Sequence, residues 1–158
     1  MILSNVVISS IQVTILSPRG GRSTRRTSAF VIPALQKIQP NIKKCQALIL
    51  SSNRDSAGLT SHIVEYFAEF MDIESHLSLG GTSMHEESKD LQKNPPQVIV
   101  GTPGRVFSLV QQNHIRADDV NLVIIDEAEE MVSVCTKDHY YCSSWTLSCF
   151  ALLMTITS

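Results

Sequence analysis

The chain has 158 residues, a length that suits one domain with a real core. Apolar residues make up 43% and charged residues 18%, an ordinary globular balance that excludes wholesale disorder. The net charge of −2 hides an asymmetry, because Arg19, Arg22, Arg25, Arg26, Lys37, Lys43, Lys44 and Arg54 all precede the first acid, Asp55.

An acid-free start bearing Ser and Arg reads either as an organelle transit peptide or as a basic face that meets phosphate. VTIL at 13–16 already has the look of a core strand, which favours the second. Next comes GGRSTRRT at 20–27, which has the first glycine and final hydroxyl of a phosphate-binding loop, G-x-x-x-x-G-K-[ST], but arginines in the glycine and lysine places. QALIL at 46–50 is a short apolar run suited to a strand buried on both faces. A helical stretch follows, with Leu59, Ile63, Tyr66, Phe67 and Phe70 at helical spacing. SHLSL at 75–79 alternates and ends at the Gly80-Gly81 turn signal. A polar, helix-prone segment then runs to Asn94-Pro95-Pro96, which stops it. QVIV at 97–100 is the next strand, and a helix opens after Pro103-Gly104. VNLVIIDEAEE at 120–130 drives an apolar strand into four carboxylates. Cys45 stands alone, and Cys135, Cys142 and Cys149 fall seven apart with no CxxC, so all four read as buried or free thiols rather than ligands or disulfides. The tail from Tyr140 has no formal charge. By length it reads as a marginal membrane segment, but its many Ser and Thr weigh against that.

Strand and helix alternating through short loops predicts an α/β fold: a parallel sheet with helices on both faces. Ligands of such sheets sit at the carboxyl ends of the strands, so the loops after Leu50, Val100 and Ile125 should carry the chemistry. Asp126, at the end of an apolar strand, is placed to hold a hydrated magnesium ion, and Glu127 to polarise a water. The plainer alternative is an acidic helix start. GTPGR at 101–105 offers a tight turn, a helix N-terminus and Arg105 beside it, a good phosphate site.

A phosphate-type loop, then TPGR, then D-E-A-E, in that order, resembles the DEAD-box ATP-dependent RNA helicases, and most closely their translation initiation factor 4A subgroup. FVIPALQKI, QALILSSNR, MDIESHLSLGGTS, QVIVGTPGRVF and VNLVIIDEAEEM carry the likeness, which is nearly continuous from Ala29 to Met131. It implies a RecA-like, P-loop-type first helicase domain over 13–131, incomplete, with a divergent segment at 1–12 and a divergent tail at 132–158. By resemblance Gly20, Gly21, Ser23, Thr24, Arg25, Arg26 and Thr27 take the place of the ATP-binding loop. Asp126 and Glu127 are the catalytic pair, with Thr27 and Asp126 holding Mg2+ largely through water. Arg54, Gly80, Gly81, Thr102, Pro103, Gly104 and Arg105 line the RNA backbone, which implies little sequence preference. Gln12 is a candidate for the family's adenine-reading glutamine, although few residues separate it from the loop. The resemblance also implies RNA and translation initiation proteins as partners, no membrane, and a cytoplasmic site of action.

The departures from the family bear on function. Ser23 and Arg25 stand where G-x-G-K-T has glycines, and Arg26 stands for the lysine. Any of these positions needing positive φ is costly for Ser or Arg, and a guanidinium reaches differently from an ammonium. The loop therefore reads as a damaged nucleotide site that binds ATP and Mg2+ loosely. P-T-R-E-L-A becomes Ser52-Asn53-Arg54-Asp55-Ser56-Ala57, which keeps the arginine. No S-A-T motif or second RecA-like domain follows, so autonomous unwinding is not expected. The expected activity is that of a helicase-like first domain binding ATP and RNA backbone. The alternatives are a non-catalytic RNA- or partner-binding module, or a degenerate copy without function.

Overall fold

The computed structural model describes residues 2–8, 11–17 and 24–128. They form six strands, four helices and two 3-10 turns, at Glu69–Met71 and Ala117–Asp119. The strands are β1 (Ile2–Ile8), β2 (Ile11–Ser17), β3 (Ala47–Ser51), β4 (Ser75–Ser78), β5 (Val98–Gly101) and β6 (Leu122–Asp126). The helices are α1 (Thr24–Leu35), α2 (Arg54–Ala68), α3 (Met84–Lys93) and α4 (Pro103–Gln111).

All six strands share one sheet in the order β1-β2-β6-β3-β5-β4. From β2 to β4 every pairing is parallel, as the α/β reading predicts. The edge is a correction to it. β1 pairs antiparallel with β2, so the sheet is mixed, and the 12/13 boundary falls inside β2. The central strands are wholly buried because both faces are covered, which is why they read as unbroken apolar runs. Side chains alternate between two cores. Leu48, Leu50, Ile99, Val123 and Ile125 meet Leu91 of α3 and Val106, Leu109 and Val110 of α4. Ala47, Ile49, Val98, Leu122 and Ile124 meet Phe30, Val31, Ala34 and Leu35 of α1 and Val64 and Ala68 of α2. A period of two in the strands thus divides the helices into two layers.

Register lines up the functional ends. Ser78 pairs with Gly101, Gly101 with Leu50, Leu50 with Ile125, and Ile15 with Ile125. Ser51 lies opposite Asp126. The loops after β2, β6, β3, β5 and β4 therefore leave the sheet from a single edge. Gly101 is forced by this packing: a Cβ there would stand 2.3 Å from the Ser78 carbonyl oxygen. Among the described residues no helix is long and apolar enough to cross a membrane. The apolar tail lies outside them, as do Cys135, Cys142 and Cys149. Cys45 is a buried free thiol.

Candidate nucleotide and nucleic-acid site

β6 lies between β2 and β3, and this placement organises the site. β2 ends on one side of β6, and β3, which leads into the turn bearing Arg54, ends on the other, with Ser51 opposite Asp126.

Gly20, Gly21 and Ser23 lie outside the described residues. Thr24, Arg25, Arg26 and Thr27 do not form a loop: they are the first turn of α1. The physical reason is that a phosphate-binding turn hands directly to a helix whose unpaired N–H groups face the ligand. Arg25 consequently has helical backbone and needs no positive φ, so its replacement of glycine is not strained. Thr27 is half-buried. Gln12 lies in β2, opposite Leu122 of β6 and Val7 of β1.

Asp126 is the last residue of β6 and is buried; its Oδ1 accepts the Glu127 N–H at 3.0 Å. Glu127 is also buried, and it holds a left-handed backbone with φ 57°. Its Oε2 accepts two hydroxyls, from Ser52 at 2.7 Å and Ser56 at 2.9 Å.

α2 begins on the other side of that carboxylate. Asn53 caps it, its side chain accepting the Ser56 N–H at 2.8 Å, as short polar residues do at helix starts. Arg54 is exposed, and its Nη1 would lie 3.4 Å from a Cβ placed on Gly81, where φ is +91°. The guanidinium leans over bare backbone that only glycine presents comfortably. Among the described residues no carboxylate pairs with Arg54. Gly80, by contrast, has open space around it and no positive φ.

TPGR takes its place at the end of β5. Thr102 and Pro103 are buried, and the Thr102 N–H donates to Ser78 O at 3.2 Å, tying the turn to β4. Pro103 has no N–H, and the Arg105 N–H returns to Thr102 O, which leaves Gly104 as the backbone donor of the turn. Arg105 faces inward: its Nε donates to Glu87 Oε2 at 2.7 Å, and Nη2 donates to Glu87 and, at 3.1 Å, to Thr82. The two charged side chains are 8% and 7% exposed, so this is a buried ion pair. His76 meets the other oxygen of Glu87 at 3.1 Å. Burial pushes the Glu87 carboxyl up, but His76, Ser78 and Arg105 outweigh it and hold it at about 2. The Ser78 hydroxyl makes no hydrogen bond of acceptable geometry, so its share is that of a nearby dipole. The sequence points to Arg105 but not to Glu87, Thr82 or His76; the one signal for Glu87 is an acidic residue on the buried side of α3, while His76 lies in β4 and Thr82 before the helix.

A family model described as DEAD/DEAH box helicase matches residues 26–155. The ATP-dependent RNA helicase eIF4A of Neosartorya fischeri is 47% identical over 110 residues, covering 70% of this chain and 27% of that protein. The same protein of Aspergillus clavatus is 48% identical over 110 residues, with the same coverage. The chain thus spans about a quarter of the length of these relatives. Among solved structures, S. cerevisiae Dbp5 bound to RNA and ADP BeF3 matches with a TM-score of 0.63 at 28% identity, over 76% of this chain and 29% of that one.

Proposed function

The chain belongs to the DEAD/DEAH box helicase family, and from that premise we propose that it grips RNA by the sugar–phosphate backbone, as part of a first RecA-like helicase domain. One observation carries this. Arg54 is exposed, free of carboxylate partners among the described residues, and lies over Gly81 on the edge where Gly104 offers its N–H. A guanidinium over bare backbone, with an N–H donor on the same edge, suits phosphate and reads no base. Arg105 acts from behind, holding TPGR against α3 through Glu87. The Dbp5 relative bound to RNA and ADP BeF3 supports the same ligand class.

The nucleotide is ATP by family. The residues beside β6 fit its magnesium–phosphate end in kind: Thr27 brings a hydroxyl on the first turn of α1, and Asp126 a buried carboxylate on the neighbouring strand. When bound, ATP and magnesium supply a phosphoanhydride and its charge neutralisation. Arg25 and Arg26 hold that group by charge rather than by a close backbone fit, so affinity is low. Asp126 is the metal-side carboxylate, and Glu127 the residue that would orient water. The described residues form one domain, and strand separation takes closure of two, so unwinding is not assigned to them alone. We propose the cytoplasm as its site of action and translation initiation proteins as partners, a reading supported by the likeness to eIF4A.

Binding of a fluorescein-labelled decauridylate, titrated across salt without nucleotide, tests the RNA reading. Log affinity should fall linearly with log salt, and Arg54→Ala should reduce the slope by about 0.7, the value of one single-strand phosphate contact. Equal binding by Arg54→Ala, or no binding by the parent chain, overturns it.

A further inference from the structure

Two positions at which the chain departs from P-T-R-E-L-A, Ser52 and Ser56, converge on one atom. Both hydroxyls donate to Glu127 Oε2, at 2.7 and 2.9 Å, across 75 and 71 residues of sequence. Neither proline nor leucine could donate there. A third group joins them, since Asn53 Nδ2 donates to Ser52 Oγ at 3.2 Å. Asn53 is also the cap of α2, so the Glu127 carboxylate is wired into the start of that helix. Negative charge is favoured at such a helix start, where unpaired N–H groups and the helix dipole point outward.

The backbone supplies an independent sign that this carboxylate is held. Glu127 sits at φ 57°, a left-handed conformation that a β-carbon disfavours and that persists where surrounding contacts fix it. Its N–H is fixed by Asp126 and its side chain by the two serines. Ser51 pairing with Asp126 brings the two segments side by side.

We propose that Ser52 and Ser56 are positioning residues: through Glu127 they latch the end of β6 to the turn that carries Arg54. The acidic motif and the backbone-facing arginine then keep a fixed spacing, and displacement of one is transmitted to the other. The consequence for RNA rests on the reading of Arg54 given above; the latch itself does not.

The test uses the full chain with 13C-labelled glutamate at a fixed neutral pH. Ser52→Ala/Ser56→Ala should move the Glu127 carboxyl resonance, assigned by its loss in Glu127→Gln. Ser56→Thr, which keeps the hydroxyl, should restore the resonance that Ser56→Ala shifts. In urea unfolding, the double serine variant should lower the folding constant by about 100-fold or more, as for two hydrogen bonds to a charged acceptor. In a Glu127→Ala background the same change should cost less than about threefold, the mark of coupled residues. Decauridylate binding should weaken several-fold in the double serine variant. An unmoved resonance, or additive effects on unfolding, overturns the latch. Should the double variant fail to fold, the single variants and Ser56→Thr carry the same comparison. A moved resonance and non-additive unfolding, with no RNA binding by the parent chain, upholds the latch and sinks the RNA reading instead.

Discussion

Arg54 and Arg105 show how the same residue type can do opposite work on one edge of the sheet. Arg54 is exposed over Gly81, whereas Arg105 spends its donors on Glu87 and Thr82. The Glu87–Arg105 pair is buried, so its electrostatics should be visible in stability. Glu87 titrates at about 2 when folded, against an ordinary 4.5. A depressed folded value means that the stabilisation is fully present above pH about 4.5 and is lost as pH falls towards 2. The shift corresponds to about 3 kcal/mol at most. Urea unfolding between pH 6 and pH 2.5 should therefore lose stability steeply in the parent chain. In Glu87→Gln the loss over that window should shrink, though the variant starts lower because Arg105 is left buried without its counter-charge. Parallel curves for the two proteins would mean that Glu87 is not ion-paired in solution. Cys45 illustrates the same rule in an apolar setting. Burial, then the nearby charge of Asp119, pushes its thiol up to about 12, so it remains protonated and inert at neutral pH.

At the scale of elements, α2 separates what a sequence pattern shows from what it hides. Leu59, Ile63, Tyr66, Phe67 and Phe70 mark a helix correctly, but of that stripe only Ile63 and Phe67 pack, half-buried, against the core. Leu59, Tyr66 and Phe70 are 58%, 62% and 74% exposed, while Ala57, Thr60, Ser61, Val64 and Ala68 are buried. Small residues are needed where a helix lies close on a sheet, and they carry little hydrophobic signal. Val64→Ala should cost about 1–2 kcal/mol in urea unfolding, through lost burial and an unfilled space. Phe70→Ser should stay within about 0.5 kcal/mol, as surface changes do. A reversed order would mean that the aromatic stripe is covered in solution. Strands β3, β5 and β6 were legible because burial on both faces leaves an unbroken apolar run, and TPGR because its turn chemistry is local. β1 was not, since ILSNVVI is interrupted by Ser and Asn and carries no Gly or Pro to announce a hairpin. The helical start at Thr24 was hidden by matching to a loop motif whose last residues belong to a helix. The partners of Arg105 and Glu127 lie 18 and over 70 residues away, set by sheet register rather than by any spacing along the chain.

For the whole molecule, the strand order brings the two proposed sites to one edge of the sheet. Placing β6 between β2 and β3 puts Asp126 between the ends of the strand that leads towards α1 and the strand that leads into the Arg54 turn, so under the proposed reading one edge would serve two ligands. The substitutions fall unevenly across that edge. Arg54, Gly81 and Gly104 keep the residue types that a backbone contact needs, whereas the nucleotide side has arginines at 25 and 26. Arg25 is compatible with its helical backbone, so folding does not oppose it; under the proposed reading it would remove close approach of a phosphate to bare N–H groups. A thermal melt with and without Mg-ATP separates these effects. A ligand at a hundred times its Kd stabilises by about 2.7 kcal/mol, which for a domain of this size is roughly 5–10 °C. At millimolar Mg-ATP the parent chain should shift by less than about 2 °C, since charge alone holds the nucleotide weakly. Ser23→Gly/Arg25→Gly/Arg26→Lys should approach the larger shift while leaving decauridylate binding by Arg54 unchanged. If the parent chain already shows the large shift, the arginines form a working nucleotide site of their own kind. If the restored loop shows none, the defect lies beyond the loop, and Glu127, its Oε2 committed to Ser52 and Ser56, is the next residue to change.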